Sequence, residues 1–245
     1  MKYLSTILIA LAVASTADAA GRSVTYKVNG ASYEGYYIDV GPTAPLVVLV
    51  HDWDGLTAYE IKRSNMLAQM GYSVFAADLF GAGVRPIKLE DKRQHTGELY
   101  KDRAKMRTLM AAAVEQARSL GANTGNAVVM GYCFGGAAVL EFARSGADMK
   151  GFVTFHGGLR TPEGQNYAQA KGRYLILHGT ADSSVSMDDF ANLAKELEQN
   201  KIPHEMITYG GAPHAFTVFG GERYREDADK KSWQRFSEFL AATLK

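Results

Sequence analysis

The chain is poor in several things, and each shortage removes a class of protein. It holds one cysteine in 245 residues, so no disulfide framework braces it and no cysteine pair is present for a metal knuckle or a CxxC redox motif. Its six histidines show no HxH or HExxH spacing, and no metal site is expected. Neither sign of charge dominates. Against 27 Lys and Arg stand 26 Asp and Glu, which implies no basic surface for nucleic acid. Proline is scarce at six residues, and no Pro- or Ser-rich linker, repeat or low-complexity tract divides the chain. The glycine-rich segments lack the Lys-Ser/Thr of a P-loop and the longer fingerprint of a dinucleotide fold, so no cofactor is expected. No heptad pattern points to a coiled coil, and after the amino terminus no apolar run resembles a membrane span.

At the amino terminus the order is basic, apolar, small. Met1-Lys2 gives the charge, Leu8 to Ala14 the apolar run and Ala17-Asp18-Ala19-Ala20 the small residues. That is the pattern of a secretory signal, with an apolar stretch too short to cross a bilayer. Residues 1–20 are therefore expected to be a cleaved signal peptide, residues 21–245 a single domain, and the protein exported to the periplasm or the extracellular space. A globule of that size buries roughly 70% of the surface its unfolded chain exposes. In an oxidising compartment a lone thiol is a liability unless it is buried or used.

Short β-branched runs alternate with longer amphipathic stretches. Ser23 to Val28 and Tyr33 to Val40 read as an opening antiparallel hairpin around Asn29-Gly30. Strands follow at Leu46 to Val50, Ser73 to Ala77, Ala127 to Gly131, Gly151 to Phe155, Tyr174 to Leu177 and Glu205 to Tyr209. Helices are expected over Ala58 to Met70, Thr96 to Leu120, Gly135 to Arg144, Met187 to Gln199 and Arg225 to Thr243. Continuously apolar strands alternating with helices predict an α/β fold, a mostly parallel central sheet covered by helices on both faces. In such sheets chemistry gathers just past the carboxyl ends of the strands.

Three strand ends stand out. Gly131-Tyr132-Cys133-Phe134-Gly135-Gly136 is a G-x-nucleophile-x-G elbow with Cys in the nucleophile's place, set between a strand and a helix. A Cβ at Gly131 or Gly135 would clash in so sharp a turn, and the helix N-terminus behind Cys133 favours its thiolate. Leu177-His178-Gly179-Thr180-Ala181-Asp182 offers an acid that can orient an imidazole, though a turn residue before the next helix would look the same. Gly211-Ala212-Pro213-His214-Ala215-Phe216 offers the base. Nucleophile, acid, then histidine is the chain order of α/β-hydrolases, and their joint occurrence predicts a Cys133–His214–Asp182 triad.

These three segments, with Asp78-Leu79-Phe80, resemble the dienelactone hydrolase family, over nearly all of residues 21–245. The resemblance implies the α/β-hydrolase fold and hydrolysis of small esters or lactones through an acyl-cysteine. It also implies roles for His51-Asp52-Trp53-Asp54-Gly55. The backbone N–H of Trp53, paired with that of Phe134, would form the oxyanion hole, and Asp52 would be the acid facing the nucleophile. Asp52 is one methylene shorter than the glutamate usual there, and a turn residue is the rival reading; a carboxylate so close to the thiol would oppose the helix dipole. Family members acting on dienelactone hold its carboxylate with arginines. Here Arg85 is displaced from the matching segment and Val218 stands where a second arginine would follow the histidine. Arg85 is thus either an anion-binding residue or a solvated loop arginine. His156, after its strand in Phe155-His156-Gly157-Gly158, either touches substrate or stands behind the residues that do. Two rival functions remain open: a thiol acyltransferase or thioesterase on the same acyl-cysteine, and a non-catalytic binding protein on a hydrolase scaffold.

Overall fold

The computed structural model describes residues 20–245; the expected signal segment, apart from Ala20, lies outside the described residues. The chain runs β1 (Arg22–Val28), β2 (Ala31–Ile38), β3 (Pro45–Val50), α1 (Ala58–Gln69), β4 (Ser73–Ala77), α2 (Leu89–Lys101) and α3 (Arg103–Ser119). It continues through β5 (Asn123–Tyr132), α4 (Phe134–Arg144), β6 (Gly151–Phe155), β7 (Arg173–Gly179), α5 (Met187–Gln199), β8 (His204–Tyr209) and α6 (Glu226–Thr243). All eight strands form one sheet in the order β1-β2-β4-β3-β5-β6-β7-β8. The opening hairpin is antiparallel, and β2 meets β4 antiparallel. From β4 to β8 every pairing is parallel. Asn29 and Gly30 turn the hairpin with φ of 49° and 84°, the left-handed pair that a tight two-residue loop requires.

Alternation along the strands divides the core in two. Val48 and Val50 of β3, with Val129 of β5, face a layer that includes Met106 and Met110 of α3, Val139 of α4 and Leu193 of α5. Val47, Leu49, Val128 and Met130 point the other way, toward Leu67 of α1 and Phe236 and Leu240 of α6. Burial on both faces explains why these strands are apolar without a polar alternation. The helix expected over Thr96 to Leu120 is instead two helices. Asp102 leaves helical geometry with φ −106° and ψ 78°, and its side chain accepts the N–H of Lys105, so it caps α3. An aspartate at this point competes for backbone donors, and the chain turns there rather than continuing.

Candidate active site

Between β5 and α4 there is a single residue, Cys133. Its φ of 51° and ψ of −113° lie in a region that costs an L-residue roughly 1–3 kcal/mol. The turn is open only because its neighbours lack side chains. A Cβ on Gly131 would overlap the backbone of Gly135, and one on Gly135 would overlap the carbonyls of Val50 and His51. The Cys133 N–H donates to the Phe155 carbonyl at 3.1 Å, which ties the elbow to the next strand. The side chain is left half-buried at the carboxyl edge of the sheet.

His214, from the turn after β8, brings Nε2 to 3.0 Å from Cys133 Sγ and Nδ1 to 2.8 Å from Asp182 Oδ2. Asp182 follows β7, and its other oxygen accepts the N–H groups of Ser184 at 2.8 Å and Val185 at 2.9 Å. Burial opposes charge on Asp182, but the bond from His214 and these backbone donors outweigh it and hold the carboxyl below its ordinary value. Burial likewise opposes the imidazolium, yet the bonds to Asp182 and Cys133 push the His214 pKa up to about 10. Thiol, imidazole and carboxylate thus stand in one hydrogen-bonded row. Such a row can pass a proton from Sγ to Nε2 and meet the resulting charge with Asp182.

The loop after β3 faces the elbow. His51 is wholly buried, and burial lowers its pKa. Its Nδ1 donates to the Asp52 carbonyl at 2.6 Å while Nε2 accepts the Leu79 N–H at 3.1 Å. That neutral ring fixes the start of the loop. The N–H groups of Trp53 and Phe134 meet no acceptor among the described residues; Phe134 opens α4, where the first donors have no partner within the helix. Asp52 is buried and accepts the Asp54 N–H at 2.8 Å. Burial pushes its pKa up to about 6, against the bond from the Asp54 N–H and the charge of Lys92. No hydrogen bond joins Asp52 to Cys133 among the described residues.

Two of the expected residues lie outside this constellation. Arg85 donates to the Val84 carbonyl at 2.8 Å and stands 4.0 Å from Asp78. It lines a hollow with Ser23, Glu34 and Tyr36 that contains no triad member. His156 is wholly buried, its ring packed edge-on to His214 with centroids 5.3 Å apart. It stands behind His214, closed off from solvent. Its Nε2 lies 2.8 Å from Thr217 Oγ1, which lies 2.7 Å from the Tyr59 hydroxyl. Arg63 donates to that hydroxyl at 3.3 Å, to the Thr217 carbonyl at 2.9 Å and to Asp229 at 2.5 Å. Apart from His156, this network, linking α1 and α6 to the turn that carries His214, has no counterpart in the sequence reading. Its members sit far apart along the chain, and the only local signal is Thr217, three residues after the histidine.

The profile of the dienelactone hydrolase family matches residues 35–244. Relatives include protein usf of Aquifex pyrophilus, 26% identical over 206 residues that span 80% of this chain and 87% of that protein. Carboxymethylenebutenolidase 1 of Cupriavidus pinatubonensis is 28% identical over 208 residues, 81% of this chain and 86% of that one. Among solved structures, a dienelactone hydrolase-like promiscuous phosphotriesterase from metagenomic libraries superposes with a TM-score of 0.86 and 26% identity, covering 92% of this chain and 99% of that one.

Proposed function

Because the chain belongs to the dienelactone hydrolase family, and is therefore a hydrolase, we propose that it cleaves small carboxylic esters or lactones through an acyl-cysteine on Cys133. The observation that carries this reading is the row Cys133–His214–Asp182, closed at 3.0 and 2.8 Å. In the proposed reaction Sγ attacks the ester carbonyl carbon while the proton of the thiol–imidazole pair is held on His214 Nε2. The carbonyl oxygen, now an oxyanion, accepts from the N–H groups of Trp53 and Phe134. Such donors contribute about 3 kcal/mol each where they have been removed one at a time in other enzymes. The intermediate collapses by breaking the bond to the alcohol oxygen, which takes the proton from His214; in a lactone the alcohol stays tethered to the acyl group. Water, deprotonated by His214, then attacks the thioester, and the thiol is restored as the acid departs.

Intact-mass detection of acylated Cys133 during incubation with a panel of esters and lactones tests nucleophile and substrate class together. A phosphotriester belongs in that panel, given the named activity of the similar metagenomic protein. Cys133→Ala should abolish turnover and leave the melting temperature close to that of the parent. Turnover surviving in that variant would refute the mechanism, and loss of free acid on adding an alcohol or amine would favour acyl transfer over hydrolysis. We also propose export, supported by the basic–apolar–small order of residues 1–20. The mass of the chain recovered outside the cytoplasm tests it.

A further inference from the structure

We propose that His156 is a positioning residue for His214: a run of hydrogen bonds from Arg63 through Tyr59 and Thr217 ends on its ring, and that ring, kept neutral, fixes the imidazole that faces Cys133. This rests on the reading of His214 as the base of a hydrolase and adds what holds that base in place. Asp182 and Cys133 take the two nitrogens of His214 at 2.8 and 3.0 Å. Two such bonds leave a ring free to tilt about the line that joins them. His156 meets the ring from the side, edge-on with centroids 5.3 Å apart, and closes that motion. It has little freedom of its own. The rings of Phe216 at 5.3 Å and Tyr132 at 5.9 Å pack against it, and none of it reaches solvent. Its φ is 41°, and that of Ala215, the residue after His214, is 61°. Both lie in the left-handed region, which an L-residue enters where its surroundings compel it. The backbone is thus held against its preference on each side of the contact between the two rings.

The run of hydrogen bonds has a direction. Asp229 anchors Arg63, and a guanidinium only donates. Arg63 Nε gives its proton to the Tyr59 oxygen at 3.3 Å, the Tyr59 hydroxyl donates to Thr217 Oγ1 at 2.7 Å, and the Thr217 hydroxyl donates to His156 Nε2 at 2.8 Å. Nε2 is therefore an acceptor and the His156 ring is neutral. Burial, and after it the charge of His214, favour the same form by holding the His156 pKa well below its ordinary value. Neutrality here matters to the base, because a second imidazolium against His214 would drive its proton off. His156 Nδ1 meets no partner among the described residues, so the Thr217 hydroxyl makes the one side-chain hydrogen bond that sets this ring. Thr217 acts on the base twice. Its hydroxyl holds His156, and its carbonyl accepts from Arg63 at 2.9 Å, which pins the turn three residues beyond His214.

Thr217→Val keeps the outline of the side chain and removes the hydroxyl. Alkylation of Cys133 by iodoacetamide at neutral pH should slow by about tenfold, the worth of one hydrogen bond, because the imidazole that holds the thiol proton moves off Sγ. The His214 titration followed by NMR should move down from about 10. Neither readout needs a substrate. With an ester that the parent turns over, kcat should fall by a similar factor at unchanged KM, since His156 touches the base and not the substrate. Thr217→Ser restores the hydroxyl and should return every readout to near the parent's. His156→Phe keeps a ring and drops the acceptor; it should match Thr217→Val, and the double variant should be no worse than either alone, because the two residues act as one unit. Tyr59→Phe breaks the run at a partly exposed residue and should shift the same readouts in the same direction, which keeps the test open if Thr217→Val folds poorly. A lower melting temperature with alkylation, the His214 titration and kcat all unaltered would overturn the positioning role and leave the network a brace of the fold; additive losses in the double variant would overturn it as well. Slowed alkylation that Thr217→Ser reverses, with no ester turned over by the parent, would sustain the positioning role and sink the hydrolase reading.

Discussion

Replacing Glu60 with glutamine should make the protein more stable in alkaline solution and change little near about pH 5. Glu60 sits in the first turn of α1 and is wholly buried. One of its oxygens accepts the N–H and hydroxyl of Thr57 at 2.7 and 2.8 Å, completing a reciprocal cap at the helix start. The other oxygen has no partner among the described residues. Burial first, then the charge of Asp52, push its pKa from the ordinary 4.5 up to about 8. The sign follows directly. Between those two values the folded protein keeps a proton that the unfolded chain has released, so stability falls as the pH rises, by ~1.4 kcal/mol per pH unit. Above about pH 8 both states are ionised and the slope disappears. Glutamine retains an acceptor for Thr57 and removes the titration. Urea unfolding in steps between about pH 5 and pH 9 should therefore give a falling curve for the parent and a flatter one for Glu60→Gln, separated by on the order of 3–5 kcal/mol at the alkaline end. Parallel curves, or a variant less stable than the parent at every pH, would refute the reasoning.

Asp182→Asn removes the charge that supports the His214 imidazolium. The His214 titration followed by NMR should move down from about 10 toward the ordinary imidazole value, and kcat should fall by roughly 10³–10⁴-fold, as such changes do in other triads. Arg63→Met strands Asp229, since the two side chains pair at 1% and 5% exposure; unfolding measurements should show a loss of about 3–5 kcal/mol. A second change, Asp229→Leu, should recover part of that loss, and a double variant no better than the single one would show that the unpaired charge is not its cause.

The chain advertises the row of Cys133, His214 and Asp182 because each stands just past the end of a strand, and around Cys133 the glycines are sterically required. The glycines at 131 and 135 have no other residue to give way to, and that makes an elbow visible without coordinates. The break at Asp102 was hidden for the opposite reason: apolar residues recur at helical spacing on both sides of it, and periodicity does not register a change of axis. Arg63 and Tyr59 were hidden more deeply. On α1 they look like the polar members of an amphipathic helix, and only the packing of α1 against the turn after β8 shows Arg63 buried and Tyr59 partly so. Arg85 illustrates the limit of spacing arguments. Nearness in sequence to Asp78 places it by that carboxylate, in a hollow that contains no member of the Cys133–His214–Asp182 row.

The sheet order also sets how the enzyme will fail. Cys133 hangs from β5, in the interior of the sheet, with β3 and β6 on either side, whereas His214 hangs from β8, the outermost strand, with β7 as its single neighbour. Most of β8 is only partly buried, and a paired contact from Arg235 on α6 to Glu205, 2.6 Å at each end, helps hold it down. Margins open at lower cost than interiors. Warming will therefore release His214 while Cys133 is still in its elbow, and if the proposed mechanism holds, ester turnover followed against temperature will disappear ahead of the main unfolding transition. The outermost strand is the fuse.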